Sequence, residues 1–282
     1  MRRFLLATLF LIAAPGAVWA ADLARGKYLL HAGNCISCHT DLKNKGPLLA
    51  GGRALKTPFG TFYGPNITPD KETGIGAWSD ADFIRALRQG VSPKGEHYFP
   101  VFPYTSFTRI TDADLLDLKA YLFSLAPVKR ANTPHDVAFP FGYRFPLFGW
   151  KLLNFRQGPD AADADRGSYL ANALGHCAEC HTQRNVMGAL KRPMWMAGSQ
   201  DGAEGKPAPN ITPDKETGIG EWTVRDLTYF LETGTTREGD VVGGLMAEVV
   251  EHGTGHLSEA DRQAMTAYLR ALPPIANKIK RK

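Results

Sequence analysis

The feature that most constrains the fold of this chain is an internal repeat. The twelve residues PNITPDKETGIG occur at 65–76 and again, unchanged, at 209–220, which places the two copies 144 positions apart. The same order of matching segments surrounds each copy: a cysteine-containing segment precedes it, and two apolar-patterned segments follow it. Such self-similarity predicts two copies of one structural unit.

The four cysteines of the chain fall into two C-x-x-C-H motifs, CISCH at 35–39 and CAECH at 177–181. This pattern is the attachment signature of c-type haem, because two thiols add to the porphyrin vinyl groups and the histidine gives its nitrogen to the iron. Zinc would need further ligands at zinc spacing, and a thioredoxin-like redox motif needs no following histidine. We therefore predict two covalently attached haems, held by Cys35, Cys38, His39, Cys177, Cys180 and His181.

The segments after each twelve-residue block have the periodicity of amphipathic helices. Ser79 and Thr223 are suitable N-caps, and Gly90 and Gly234 are suitable helix ends. A closing helix then follows in each unit and is ended by proline. The pattern predicts a mostly α-helical protein in which each unit has a CxxCH helix, a long loop and two further helices.

In this arrangement the chain resembles the class I cytochrome c fold. More narrowly, it is similar to the multi-haem cytochrome c subunits of bacterial periplasmic dehydrogenases of the alcohol and gluconate type. The resemblance rests on CxxCHT, on the twelve-residue block followed by tryptophan, and on PVFPYTSF, and it spans about residues 25 to 275. It implies tandem cytochrome c domains at 21–130 and 161–282, the second with a basic tail, and a Pro- and aromatic-rich linker at 131–160. Those relatives have three haem domains, whereas this chain has two CxxCH motifs.

In the resembling family the repeated loop lies along the haem edge, near the propionates. The resemblance therefore implies haem contacts for Asn66 and Asn210 within the loop and for Trp78 and Trp222 directly after it. Each indole N–H is a suitable propionate donor, but each ring is equally suited to packing in the core.

Cytochromes of this fold place a methionine sulfur on the distal side of the iron, before the closing helix. The second unit has Met246 at this place, which we predict to be the sixth ligand of its haem. The spacing of 144 residues carries Phe102 onto Met246, and no methionine lies between Met1 and Met187. The first haem therefore has no methionine ligand from its own unit.

Three interpretations of the first distal site stay open. His97, five residues before Phe102, would give bis-histidine ligation and lower the potential of the first haem. Alternatively, Phe102 caps an open iron, or a ligand such as His135 comes from the linker. An open iron would suit a haem enzyme, either a di-haem peroxidase or a thiosulfate-type dehydrogenase, with Glu96 and His97 as acid–base candidates.

Residues 1–20 have the features of a cleaved secretory signal, with two arginines, a short apolar run and small residues before the cleavage site. The run is too short to cross a hydrocarbon core of ~30 Å, and no later stretch is long and apolar enough. We therefore expect an exported, periplasmic protein without a transmembrane anchor. A net charge of +5 with a basic tail is not a nucleic-acid signature.

We predict that the chain transfers electrons from a periplasmic dehydrogenase to a cytochrome or a terminal oxidase. The chain has no glycine motif for a flavin or a nicotinamide.

The linker aromatics are expected to pack on one or both haem domains, with an exposed patch for a partner protein as the alternative. These aromatics are Phe139, Phe141, Tyr143, Phe145, Phe148, Trp150 and Phe155.

Overall fold

The structure is a computed structural model that describes residues 21–158 and 165–280. The predicted signal at 1–20 and the last two residues of the basic tail lie outside the described residues, as do 159–164 of the linker region. We refer to residues 21–158 as the first half and to residues 165–280 as the second half. The described fold is mostly helical, as the sequence predicts.

The first half contains six helices among its described elements. In chain order they are α1 (Leu23–Ala32), α2 (Cys35–His39), α3 (Asp80–Gln89), α4 (Tyr104–Phe107), α5 (Asp112–Ser124) and α6 (Pro146–Asn154). A small antiparallel sheet has the order β1-β2-β3, with β1 at Ala54–Thr57, β2 at Gly60–Tyr63 and β3 at Asp136–Val137. Its register pairs Ala54 with Tyr63 and Gly60 with Val137.

The second half repeats the order of helices α1 to α5. Its helices are α7 (Arg166–Ser168), which continues as a π-helical segment at Tyr169–Leu174, α8 (Ala178–His181), α9 (Val224–Thr233), α10 (Gly244–His252) and α11 (Glu259–Ala271). Short 3-10 turns lie at Leu42–Asn44, Arg192–Met194, Ala203–Gly205 and Thr254–His256. Within the described residues, no helix has the length and apolar content needed to cross a bilayer.

Local sequence signals determine where the matching helices α3 and α9 begin and end. Ser79 and Thr223 each form a capping box with the aspartate three residues later, which confirms the predicted N-caps. Gly90 and Gly234 end these helices with left-handed backbone, at φ 59° and φ 73°. The predicted closing helices are likewise confirmed as α5 and α11.

A close helix crossing supports each half. Helix α1 packs on α5, and α7 packs on α11. Gly26 and Gly167 lie at the two crossings, where a Cβ atom would come within 2.1 Å of the Asp117 carbonyl oxygen and 2.0 Å of the Ala264 carbonyl oxygen. These positions therefore require glycine because the two backbones approach each other directly.

Two reciprocal contacts join the halves. The Tyr28 hydroxyl of the first half donates to Asp261 of the second, and the Tyr169 hydroxyl of the second donates to Asp114 of the first at 2.6 Å. Each aspartate also accepts from an arginine of its own half, Asp261 from Arg166 Nε at 2.9 Å and Asp114 from Arg25 Nε at 2.7 Å. The hydrogen bond from the Arg166 guanidinium holds the pKa of Asp261 below its usual range.

The linker region is arranged differently from the predicted packing. Phe139, Tyr143 and Phe145 are 83%, 56% and 81% exposed, so the packing prediction is wrong for these rings. Phe141 and Phe148 are also more than half exposed, but their rings contact those of Phe59 and His97, at 5.1 and 6.1 Å between centroids. Helix α6 is held instead by the buried Lys151 amino group and by neighbouring side chains. Its residues Phe148, Leu152 and Leu153 are exposed, whereas Trp150 is half-buried and donates from Nε1 to the Met187 carbonyl of the second half at 2.8 Å.

Candidate haem-attachment sites

Both CxxCH motifs form a short helix, and a residue with left-handed backbone directly precedes the first cysteine of each motif. Asn34, before α2, has φ 49°, and His176, before Cys177, has φ 38°. The four cysteines are free and half-buried, so the motifs are not linked as disulfides in this structure. Burial raises the pKa of Cys35 and of Cys177 to about 12.

The motif histidines have the tautomer and orientation that an axial ligand needs. His39 Nδ1 lies 2.8 Å from the Pro65 carbonyl oxygen, and His181 Nδ1 lies 2.8 Å from the Pro209 carbonyl oxygen. A ring that donates from Nδ1 keeps the Nε2 lone pair for a metal. Burial lowers the pKa of both rings, which favours the neutral form that can bind iron. The donor set at each motif, two thiols and one oriented imidazole, therefore fits a c-type haem.

The twelve-residue block supplies these orienting carbonyls, a role that sequence reasoning missed. Pro65 and Pro209 are the first residues of the two identical copies, so the identity of the block was the available signal. A carbonyl that fixes an axial histidine belongs to the outer shell of a metal site.

Asn66 and Asn210 hold the repeated loop in place through the same set of hydrogen bonds. Asn66 Nδ2 donates to the Val128 carbonyl at 2.7 Å and to Thr73 Oγ1 at 3.1 Å. Asn210 Nδ2 donates to the Ile275 carbonyl at 2.7 Å and to a matching threonine. Both asparagines are 2% exposed, and they tie the loop to the segment after the closing helix. Their predicted contact with haem stays a prediction.

Trp78 and Trp222 are partly buried and pack against the hydrophobic core. The ring of Trp222 also makes an edge contact with Phe230, at 5.6 Å between centroids. The structure thus gives each tryptophan the core role that the sequence left open, while the role of the indole N–H groups toward propionates stays a prediction.

The two predicted distal positions differ in their surroundings. Met246 is half-buried on α10. Phe102 lies in an aromatic cluster, with its ring centroid 5.6 Å from that of Tyr98 and 5.7 Å from that of Phe107. Burial raises the pKa of Tyr98 to about 12. The first half therefore has an aromatic cluster at the position where the second half has a thioether.

His97 makes contacts with the linker region. Its Nδ1 lies 2.9 Å from Lys151 Nζ, its carbonyl oxygen accepts from Arg144 Nη1 at 2.7 Å, and its ring lies 6.1 Å from that of Phe148. Burial and then the Lys151 ammonium lower the pKa of His97. His97 could bind an iron through Nδ1 only if the contact between Nδ1 and Lys151 Nζ were broken. The role of His97 as an iron ligand therefore stays a prediction. His135 Nδ1 accepts from the Tyr63 N–H at 3.2 Å.

The attachment helices themselves lie at the boundary between the halves. Helix α10 of the second half packs on α2, and Glu179 of the second motif accepts from Thr105 Oγ1 and Ser106 Oγ of the first half at 2.6 and 3.1 Å. Burial alone would raise the pKa of Glu179, but Arg184 and Thr105 outweigh this effect, and the pKa is lowered.

A second set of charges joins the halves beside Cys38. Arg53 Nη1 lies 3.2 Å from Glu248, and Arg53 Nη2 lies 3.3 Å from Glu204. Burial, followed by the charge of Cys180, raises the pKa of Cys38 to about 11.

Comparison with known proteins assigns the family. A family model for cytochrome c matches residues 23–126. A diheme cytochrome c-type protein of Cereibacter sphaeroides is 42% identical over 98% of this chain and 100% of its own length. The chain belongs to the cytochrome c family. The cofactor of this cytochrome is covalently bound c-type haem, which confirms the prediction made from the CxxCH motifs.

Two further relatives are subunits of dehydrogenases. The fructose dehydrogenase cytochrome subunit of Gluconobacter japonicus is 38% identical over 93% of this cytochrome and 55% of the relative. The gluconate 2-dehydrogenase cytochrome c subunit of Pantoea cypripedii is 39% identical over 89% of this cytochrome and 60% of the relative. This cytochrome thus spans little more than half the length of these subunits, and the resemblance to dehydrogenase cytochrome subunits is confirmed.

Proposed function

We propose that this cytochrome is a two-haem electron-transfer module built of tandem domains at 21–130 and 161–282, joined by the linker at 131–160. The observation that carries the proposal is the duplicated site. Each half has two free thiols and a histidine held by the first carbonyl of an identical loop. When bound, each haem iron supplies a reversible one-electron change.

The residues of this chain attach, orient and space the two haems. Cys35 and Cys38 would hold the first haem and Cys177 and Cys180 the second, with His39 and His181 as proximal ligands. Met246 would be the sixth ligand of the second haem. For the first haem we retain His97 as the candidate sixth ligand and an open iron capped by Phe102 as the alternative. Asn66, Asn210, Trp78 and Trp222 would line the haem edges.

The position of the attachment helices supports direct electron exchange between the haems. Contacts of Glu179 with α4 and of Arg53 with Glu204 and Glu248 bring the two motifs to one boundary. Because electron transfer falls steeply with distance, a boundary formed by the attachment helices favours a short path between the cofactors. The reciprocal contacts of Tyr28 and Tyr169 would keep that path fixed.

The names of the relatives indicate the electron donor. Fructose and gluconate dehydrogenases have cytochrome subunits similar to this chain, so we infer that a dehydrogenase in the periplasm donates electrons to it. A cytochrome or a terminal oxidase would accept them. Export through a signal at 1–20 is part of this proposal.

The enzyme alternative receives less support. A peroxidase needs a vacant iron and a positioned acid–base residue. Glu96 is exposed, His97 is held by Lys151, and the relatives are cytochrome subunits of dehydrogenases rather than peroxidases. Electron transfer is therefore the function that we propose.

A reductive titration of the haem-loaded protein tests this function. We expect two electrons to be taken up per chain in reversible steps, with negligible peroxide turnover. Matched variants, Cys35→Ala with Cys38→Ala in the first motif and Cys177→Ala with Cys180→Ala in the second, should each take up one electron. Uptake of a single electron by the parent, or rapid peroxide turnover, would refute the proposal.

A further inference from the structure

The second half has a surface cavity of about 340 Å³ between α9 and α10. We call this cavity the socket and define it by the residues that line it, chiefly Thr233, Gly234, Val242, Ala247, Val250 and Glu251. The lining includes none of the predicted haem ligands of the second half, so the socket is separate from the attachment site.

The repeat identifies the matching place in the first half. The Val242 N–H donates to the Gly234 carbonyl at 2.8 Å, and the Tyr98 N–H donates to the Gly90 carbonyl at the same distance. The bridge between Thr235 and Val241 likewise matches the bridge between Val91 and His97. The socket in the second half therefore corresponds to the site around Gln89, Gly90 and His97 in the first.

In the first half this site is filled by a lysine. Lys151 of α6 donates from Nζ to the Gln89 and Gly90 carbonyls at 2.5 and 2.9 Å and lies 2.9 Å from His97 Nδ1. The amino group also lies 4.6 Å from the centre of the Tyr104 ring, a cation–π contact. Lys151 is 8% exposed, so these acceptors replace the water that its ammonium group loses.

The second half keeps the two carbonyl acceptors, has Val241 at the place of His97 and, among its described residues, has no lysine donating to those carbonyls. The carbonyls of Thr233 and Gly234 occupy the places of those of Gln89 and Gly90. A Cβ atom on Gly90 would lie 2.4 Å from the Tyr104 ring, whereas one on Gly234 would lie 3.0 Å from Val242 Cγ1 and 3.8 Å from the nearest Val250 atom. The smaller side chain of Val250 contributes to the open volume.

The rim of the socket is more acidic than the matching rim in the first half. At the spacing of 144 residues, Glu232 stands where the first half has Arg88. Glu251 directly follows Val250, the residue that takes the place of Tyr104 beside the glycine. Both glutamates are exposed residues of the lining, but Glu232 is ion-paired with Arg262 Nη2 at 3.2 Å, so the negative charge open to a ligand is chiefly that of Glu251. The charge of the rim thus suits a cation better than the charge around Lys151 does.

We propose that the socket binds a lysine-bearing helix of a partner protein in the way that the first half binds α6. The acidic rim and the two backbone carbonyls would receive the ammonium group, while the valines and Ala247 would contact the apolar residues beside it. This assignment goes beyond electron transfer, and it does not depend on the haem chemistry.

A peptide with the sequence of residues 144–156 is a direct probe, because it contains α6 and its lysine. We expect the haem-loaded full chain to bind it with one-to-one stoichiometry in a fluorescence anisotropy titration. A peptide with alanine at the lysine position should bind on the order of tenfold more weakly or worse, since it loses charge-assisted hydrogen bonds. Equal binding of the two peptides would overturn the proposal, because apolar contact alone would then account for it.

Variants of the chain locate the binding site. Glu251→Lys and Ala247→Arg should each abolish peptide binding, by charge repulsion and by filling the socket. Asp201→Lys is the matched control, because Asp201 is exposed in the same half but does not line the socket. Haem content is measured for every variant, and Glu251→Lys suffices if Ala247→Arg does not assemble. Binding that survives Glu251→Lys, or dimerisation of the chain that the peptide suppresses, would overturn the assignment to a partner.

Discussion

Replacing Met246 with alanine is expected to lower the midpoint potential of the second haem by a substantial part of the ~0.8 V range that axial ligands span. A methionine ligand raises the potential of a cytochrome c, and water or no ligand in its place removes that effect. Spectroelectrochemical titration of the haem-loaded variant measures the change. The far-red absorption band of methionine-ligated ferric haem should disappear in the same sample.

Met187→Ala is the matched control for this prediction. Met187 lies in the same half, is 46% exposed and contacts Trp150 through its backbone carbonyl, which the substitution keeps. Its variant should retain both the potential and the far-red band. If the band and the potential survive in Met246→Ala, Met246 is not the sixth ligand, and the potential of the second haem has another origin.

The second large effect is expected at the helix crossings. Gly26→Ala should destabilise the folded protein by about 3 kcal/mol or more, because the new methyl group would come within 2.1 Å of the Asp117 carbonyl oxygen and 2.6 Å of the Tyr121 Cβ. Gly167→Ala should have a similar effect at the α7–α11 crossing, where the nearest backbone oxygen is at 2.0 Å. Thermal unfolding of the haem-loaded variants measures both losses.

Gly149→Ala is the control for the crossings. Gly149 lies within α6, and a Cβ atom there would meet nothing within 4 Å. Alanine favours a helix over glycine by about 1 kcal/mol, so this variant should be at least as stable as the parent. A Gly26→Ala variant that unfolds at the parent temperature would show that the crossing can widen without cost.

Local sequence signals predicted much of the fold. Ser79 and Thr223 cap their helices as expected, and Gly90 and Gly234 end them, because each signal acts over three or four neighbouring residues. The contacts between the halves had no such signal. Tyr28 reaches Asp261 over 233 positions, and the periodicity of its own helix does not reveal a partner in the other half.

The attachment site was predictable to a similar extent. The spacing of Cys35, Cys38 and His39 identifies the cofactor, because covalent attachment requires that pattern within one short helix. The identity of the twelve-residue block indicated that the loop beginning at Pro65 matters, but residue type could not reveal the role of its backbone carbonyl. The contact of His97 with Lys151 was also missed, because it depends on where α6 packs.

The central claim is that one chain holds two haems close together for electron transfer. Low-temperature EPR of the fully oxidised, haem-loaded protein tests it most directly, with His97→Ala measured beside the parent. We predict two low-spin ferric haems per chain whose signals are broadened by their mutual magnetic interaction, and a change confined to the first haem in the variant if His97 is its ligand. A single low-spin haem per chain, or a high-spin haem in the parent that reacts with peroxide, would contradict the account.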